Sequence, residues 1–393
     1  MGDLPRPVKA LVCVRVINQL GAYVMAFLAV LAGADLAAAA LAVFGVAALV
    51  SRWLGGVLLD RFAPRTLVVL GLASTGAALL LLAAAQGSGQ VLAAVALVGL
   101  AFEIQEPATQ EALARVDGLR GDIYGLLGTS LVAAGALGGL LAAVLLPLGA
   151  RWLAVVDGTT CLLAAAVALA FLEREPSAKR TPAAPWRPSR RLLRLTIAGT
   201  AFACGYLAVL MFMPLVLLQR GAPAWLPGLT LTVAALLAPV TGRLGRRRLN
   251  GFAHEPVLAV GCGVLGVLAL VLAVGRAVPL TVGAYLAWAV ADSVLMGRWQ
   301  AMIADFAPEA ERPRWFAFFG SSWGVAQSAV PGLVALAGAA MPIGAAAFLL
   351  TPAFLRRAGP ARARPSRDGP SRAVSCRAGS GRAGAGWAGV SSR

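Results

Sequence analysis

The stretch Gly55-Gly56-Val57-Leu58-Leu59-Asp60-Arg61-Phe62-Ala63-Pro64-Arg65 decides the reading of this chain. It is a short charged turn between two long apolar runs, 36–59 and 66–86. Each run has the roughly 20 residues that a helix needs to cross a bilayer at about 1.5 Å per residue. A helix apolar on all sides is stable where lipid or other helices cover it, not in water.

The same alternation continues outward in both directions. Apolar runs lie near 8–32, 36–59, 66–86, 90–110, 123–146, 152–172, 195–218, 226–242, 256–275, 279–302, 315–335 and 338–355, about twelve spans in all. Hydrophobic residues make up 59% of the 393 positions and charged residues only 13%. A soluble domain carries roughly 25% charge, so a typical soluble enzyme is excluded. A membrane β-barrel would alternate with period two, and Leu79-Leu80-Leu81-Leu82 does not. The expected class is an all-α membrane protein.

The net charge of +17 is placed unevenly. Outside the C-terminal tail, 19 Lys and Arg fall in the termini and even-numbered connections and three, Arg151, Arg220 and Arg276, in the odd-numbered ones. The positive-inside rule then puts both termini in the cytoplasm and explains the basic excess without nucleic acid. Segment 173–194 is the longest internal polar stretch and carries four prolines. It separates an expected N-terminal six-helix bundle, 1–172, from a C-terminal one, 195–358. Residues 359–393, rich in Arg, Gly, Ala and Ser, lack Leu, Ile, Phe and Met and read as a disordered cytoplasmic tail.

The halves echo each other. Arg120, Tyr124, Gly128 and Ser130 align without a gap on Arg312, Phe316, Gly320 and Ser322. Gly56–Arg61 echoes Gly242–Arg247 at the matching place. Repeated halves around a polar linker are a transporter pattern, with substrate handled near the midplane between them. The five cysteines have no metal-ligand spacing and His254 is the only histidine, so neither a metal centre nor a histidine triad is expected. No phosphate-binding G-x-x-x-x-G-K-[ST] loop occurs, which argues against an ATP-driven pump.

The 55–65 turn resembles the loop between helices 2 and 3 of the major facilitator superfamily, roughly G-x-L-x-D-R-x-G-R-[KR]. Gly99, Pro107 and the acidic-basic turn ending at Arg120 resemble its fourth helix and following loop. The resemblance covers about residues 8–355. It implies two pseudo-symmetric six-helix bundles, alternating access, and a cavity lined by helices 1, 4, 7 and 10. It makes Gly56, Asp60, Arg61 and Arg65 a gating loop, with Asp60 latching the inward side near the start of helix 11. The sequence departs from the family in three places. Val95 stands where an arginine is frequent in helix 4, Leu140 replaces a proline in helix 5, and Arg246 is the counterpart of Asp60.

Three carboxylates sit deep in spans. Glu103 and Glu106, at i and i+3, are expected on one face of a continuous fourth helix, with Arg15 as cationic partner and Asn18 and Gln19 as neutral donors nearby. A fixed Arg15–Glu pair that only orders helices is the competing reading. Asp292 lies at similar depth in span 10. Tyr23, Tyr206 and Trp288 could line a hydrophobic pocket, and Asp157, near the outer end of span 6, is expected to snorkel or cap. Few, acidic and aromatic cavity candidates favour a drug-efflux-like, proton-coupled antiporter in the plasma or inner membrane. It would be monomeric, with a small hydrophobic or cationic substrate, the proton gradient in place of any cofactor, and no nucleic-acid partner. An uptake permease of the same fold, an intramembrane enzyme and a non-transporting scaffold are the alternatives, the enzyme disfavoured by the lack of a nucleophile–base pair.

Overall fold

The computed structural model describes residues 6–21, 24–59, 61–106, 108–109, 120–172, 186–249, 251–308 and 311–356. Asp60, Tyr23, residues 173–185 and the basic tail lie outside the described residues. The described elements are α1 (Arg6–Gly21), α2 (Val24–Ala32), α3 (Ala37–Leu59), α4 (Pro64–Ala84), α5 (Ser88–Phe102), α6 (Arg120–Leu145), α7 (Arg151–Phe171), α8 (Arg190–Gln219), α9 (Leu226–Leu249), α10 (His254–Val274), α11 (Val278–Leu295), α12 (Arg298–Phe306), α13 (Arg312–Ala337) and α14 (Ala340–Arg356), with one 3-10 turn at Leu146–Leu148. Among the described residues, eight helical stretches are long and apolar enough to cross a membrane, or nine if α1 and α2, bent by 41°, form one span. Helices α5 and α14 fall short in length. Helix α13 has the length, but Ser321, Ser322, Gln327 and Ser328 dilute its apolar character.

Local chemistry sets the helix ends. Pro64 opens α4 at the first turn, where its missing N–H costs nothing, behind an extended Ala63. Ser189 caps α8 by accepting a hydrogen bond at Oγ from the Leu192 amide, 3.2 Å. That helix therefore begins five residues before the span expected at 195, because Leu192 and Leu195 are fully buried and draw the preceding turn onto the bundle. Gly338 (φ 73°) takes the left-handed conformation that ends α13 and turns the chain into α14.

The packing repeats between halves. Helix α7 packs on α4 and α1, and α14 packs on their counterparts α10 and α8. The contacts α3–α5 and α4–α5 recur as α9–α11 and α10–α11. Between the halves, α2 meets α8, α3 meets α13 and α6 meets α9. These last two approaches are backbone-close. Ser328 Oγ donates to the Gly45 carbonyl at 2.8 Å, and Thr232 Oγ1 donates to the Ala136 carbonyl at 3.2 Å. A Cβ on Gly139 would lie 2.5 Å from Thr232 Oγ1, so only glycine allows this crossing. A Cβ on Gly320, by contrast, would meet nothing within 4 Å, so that residue does not serve the close helix contact that its four-residue spacing to Gly324 suggests. Gly45, Ser328, Gly139 and Thr232 all lie in the halves of their helices away from the arginine-rich end that carries Arg61, Arg65, Arg190 and Arg246. Large apolar side chains such as Trp53, Val144 and Leu336 (88% exposed) point outward, as a lipid-facing surface requires.

Candidate functional site

Span 4 is not the continuous helix expected. Helix α5 ends at Phe102, and Glu103 and Ile104 form a turn before helical residues resume. The cause is legible in the sequence: the ring of Pro107 would collide with the carbonyl four residues back, that of Glu103. The unwound backbone is sheltered by small partners. The Glu103 amide donates to Ser51 Oγ at 3.1 Å, and a Cβ on Gly55 would come within 3.0 Å of the Ile104 carbonyl oxygen. Gly55, at the start of the 55–65 turn, thus makes room for a broken helix.

The break sends the two glutamates to different partners, so they do not present one carboxylate pair. Glu106 and Arg15 form a two-pronged ion pair, with Nη1–Oε2 at 2.9 Å and Nη2 donating to Oε1 at 3.0 Å. Glu103 faces Arg52 Nε at 3.5 Å instead. Arg52 is a partner the sequence reading overlooked, although it is one of only three arginines inside the expected spans. Both carboxylates therefore sit in neutralised pairs within the first half. The helix-ordering role of an Arg15–Glu pair fits this geometry better than two free proton carriers do.

A cavity of about 380 Å3 lies between the halves. Helices from both contribute: Gln19, Ala26 and Phe102 from the first, and Tyr206, Leu231, Tyr285, Trp288 and Asp292 from the second. Tyr206 and Trp288 bring their rings to 5.4 Å, and Tyr285 stacks on Trp288 at 5.6 Å. Trp323 meets Tyr206 edge-on at 5.3 Å. Tyr285 was missed in the sequence, yet it precedes Trp288 by three residues and so shares its helix face. Trp288 is buried and its indole Nε1–H has no hydrogen-bond partner among the described residues. Asp292 follows Trp288 by one turn on the same lining. Among the described residues no cation pairs with it. Arg298, six residues on, donates instead to the Leu249 carbonyl at 2.7 Å, and Ser293 is engaged with Thr241 at 2.8 Å. The lining runs on to Met296, which is 63% exposed, beside the left-handed Gly297 that interrupts span 10.

Asn18 and Gln19 diverge. Gln19 lines the cavity, whereas Asn18 turns into a second, small chamber within the first half and accepts the Cys161 thiol at Oδ1, 3.4 Å. Asp157 lies in that chamber too. It is 6% exposed and neither snorkels nor caps, because its stripe of Gly158, Cys161, Ala164 and Ala165 is the face of α7 turned to the bundle interior. At the gating loop, a Cβ on Gly56 would meet nothing within 4 Å and Arg61 is exposed. Arg65 donates through Nη2 to the Leu169 carbonyl, a cation closing the last turn of α7. Asp60 and Tyr23 fall outside the described residues. At the start of α13, Glu311 accepts the indole N–H groups of Trp186 and Trp315 at 3.3 and 3.2 Å.

The sequence profile described as Major Facilitator Superfamily matches residues 11–331. The chain belongs to that superfamily. It is a multi-pass membrane protein and a secondary transporter of small molecules, not an enzyme. No curated protein sequence matches it significantly. Among solved superfamily structures, it is similar to the peptide transporter POT in complex with sulfate, at 16% identity over 90% of this chain and 94% of that one, with a TM-score of 0.73. The nucleoside transporter NupG follows at 10% identity, 89% and 98% coverage and a TM-score of 0.70. The human organic anion transporter MFSD10 (TETRAN) gives 16%, 89% and 99%, and 0.63. At these identities the likeness establishes the superfamily fold and leaves the cargo open.

Proposed function

We propose that the protein is a proton-coupled exporter of small hydrophobic or organic cationic solutes, working by alternating access. The observation that carries this reading is the meeting, on one cavity wall, of the Asp292 carboxylate, with which no cation pairs among the described residues, and the ring cluster of Tyr206, Tyr285 and Trp288. Aromatic faces attract cations, most strongly where water is excluded. A single carboxylate without a fixed partner can bind either a proton or a cationic substrate, and competition between the two is the simplest antiport coupling. The arginine pairs of Glu103 and Glu106 leave Asp292 as the cavity carboxylate free for that exchange.

The orientation follows from charge. With the arginine-rich end in the cytoplasm, the close α3–α13 and α6–α9 crossings seal the outer side, and the cavity running toward Met296 is open inward. Asp60 and Arg61 serve as the inner latch that forms when the halves rock the other way. The protein works as a monomer in the plasma or inner membrane.

Reconstitution into proteoliposomes with a chemically diverse panel, with and without an imposed pH gradient, tests the proposal. Organic cations should accumulate against an opposing proton gradient. Gradient-independent flux, or movement of solute with the proton, would replace export with the uptake alternative.

A further inference from the structure

We propose that Asp157 is a proton-binding site of its own, housed in a closed chamber inside the first half and reached from the central cavity past the ring of Phe102. Its place in the transport cycle rests on the proton-coupled reading above. Its binding of a proton does not.

The chamber has a volume of about 20 Å3, enough for one water molecule, which needs roughly 10–15 Å3. Its polar lining is Asp157, Asn18, Thr75, Gln105 and Cys161, and Phe44 and Phe102 are among the apolar walls. Asp157 is more than nine-tenths buried. Its side chain meets the Cys161 thiol, 3.7 Å from Oδ1, and that one thiol proton is shared with Asn18 Oδ1 at 3.4 Å. Thr75 spends its own proton on the Gly71 carbonyl at 2.7 Å. No charged group but Asp157 lines the chamber among the described residues. Of the charged residues on the helices packed against α7, Arg15 pairs with Glu106 and Arg65 with the Leu169 carbonyl. Arg6, Lys9, Arg120 and Asp122 belong to the opening turns of α1 and α6, at the arginine-rich end and away from Asp157 near the opposite end of α7. An ionised carboxylate with no counter-charge is costly in such a place, whereas a protonated one gains a donor that a single water can relay to Asn18 or Gln105.

A fully structural aspartate would need no wall in common with the central cavity, and this one has such a wall. Phe102 lines both the chamber and the central cavity. Its ring rests edge-on against Phe44 at 5.5 Å and belongs to the last residue of α5, directly before the break in span 4. The backbone after it is therefore outside the regular helix ladder, and Gln105, just past the break, is the chamber's next wall. Movement of the broken segment relays a proton: a hydronium ion in the cavity gives up its proton, one carboxylate oxygen of Asp157 receives it through the chamber water, and water remains. Release runs the same steps backward. Sodium fits less well, because the Asn18 oxygen is already occupied and one carboxylate supplies the only charge.

Two measurements on the full-length protein test this. In detergent without substrate, infrared difference spectra on acidification should show a protonated-carboxyl band that Asp157→Asn removes and Asp157→Glu moves. A band unchanged in Asp157→Asn, or one that answers to sodium and not to pH, overturns the site. In proteoliposomes, Asp157→Asn should keep substrate exchange at equal pH while losing at least tenfold in gradient-driven accumulation, and Asp157→Glu should restore it. Equal losses in exchange and accumulation overturn the coupling role and leave a structural aspartate. If wild-type flux ignores the gradient while the infrared band behaves as stated, the functional proposal fails and the proton site stands.

Discussion

Gly228 is where the α6–α9 crossing can be tested most directly. A Cβ there would lie 2.7 Å from both Ala143 Cα and the Gly139 carbonyl oxygen, and closer still to the Ala143 amide nitrogen. Ordinary contact begins at 3.4 Å, so Gly228→Ala forces the two backbones at least 0.7 Å apart. All three atoms are main chain and none can swing aside. Overpacking of this kind costs about 1–3 kcal/mol. The cost falls only on the state in which α6 and α9 touch, so the equilibrium moves toward the other state by roughly five- to 150-fold. The reporter is a cysteine at Ala235 in the cavity, in a background without native cysteines. An impermeant thiol reagent applied from the side opposite the arginine-rich end should label it faster in Gly228→Ala by a factor in that range. Gly263→Ala, where nothing lies within 4 Å, should leave labelling unchanged. Equal labelling of the Gly228→Ala and parent proteins would falsify the idea that this crossing closes one face of the cavity.

Other outcomes follow from the same geometry. Asp292→Asn should abolish the pH dependence of cation transport while thermal stability stays within about 1 kcal/mol of the parent, since no ion pair is broken; retained pH dependence removes Asp292 from the coupling. Glu106→Ala strips Arg15 of its two-pronged partner and should lower thermal stability by up to about 3 kcal/mol, the half-buried setting keeping it at the low end for a broken buried pair; the swap Arg15→Glu with Glu106→Arg should recover part of that loss, and no recovery would mean that the pair itself is not what stabilises. Asp60→Asn should slow initial transport rates with normal membrane insertion, and unchanged rates would remove the residue from the gate.

How much of this was legible beforehand depended on whether the signal was local. Span positions follow from runs of apolar residues, which need no knowledge of neighbours, and the turn at Gly338 is where a left-handed residue is required. The broken fourth span was also written locally, in Pro107, but helical spacing was applied through it and put Glu103 and Glu106 on one face. Arg15 is readable as a cationic partner from its depth, but that it takes Glu106 and leaves Glu103 to Arg52 is assigned only by the packing of α1 and α3 against the break. Asp157 was misplaced because depth along a helix was read without asking which face it shares. The run Asp157, Gly158, Cys161, Ala165 and Ala168 at helical spacing marks that face as interior. Tyr285 was recoverable in the same way from Trp288.

The six connections at the end away from the arginines are only two to six residues long, and Gly33, Gly149, Gly221 and Gly338 turn four of them with positive φ. Each pair of helices joined there is a stiff hairpin with almost nothing protruding. A protease, an antibody or an inserted epitope tag approaching from that side finds little chain to grip, so tags and fusion partners belong on the arginine-bearing face. The same compactness means that any drug meant to plug the transporter from that direction must reach between helices rather than seize a loop.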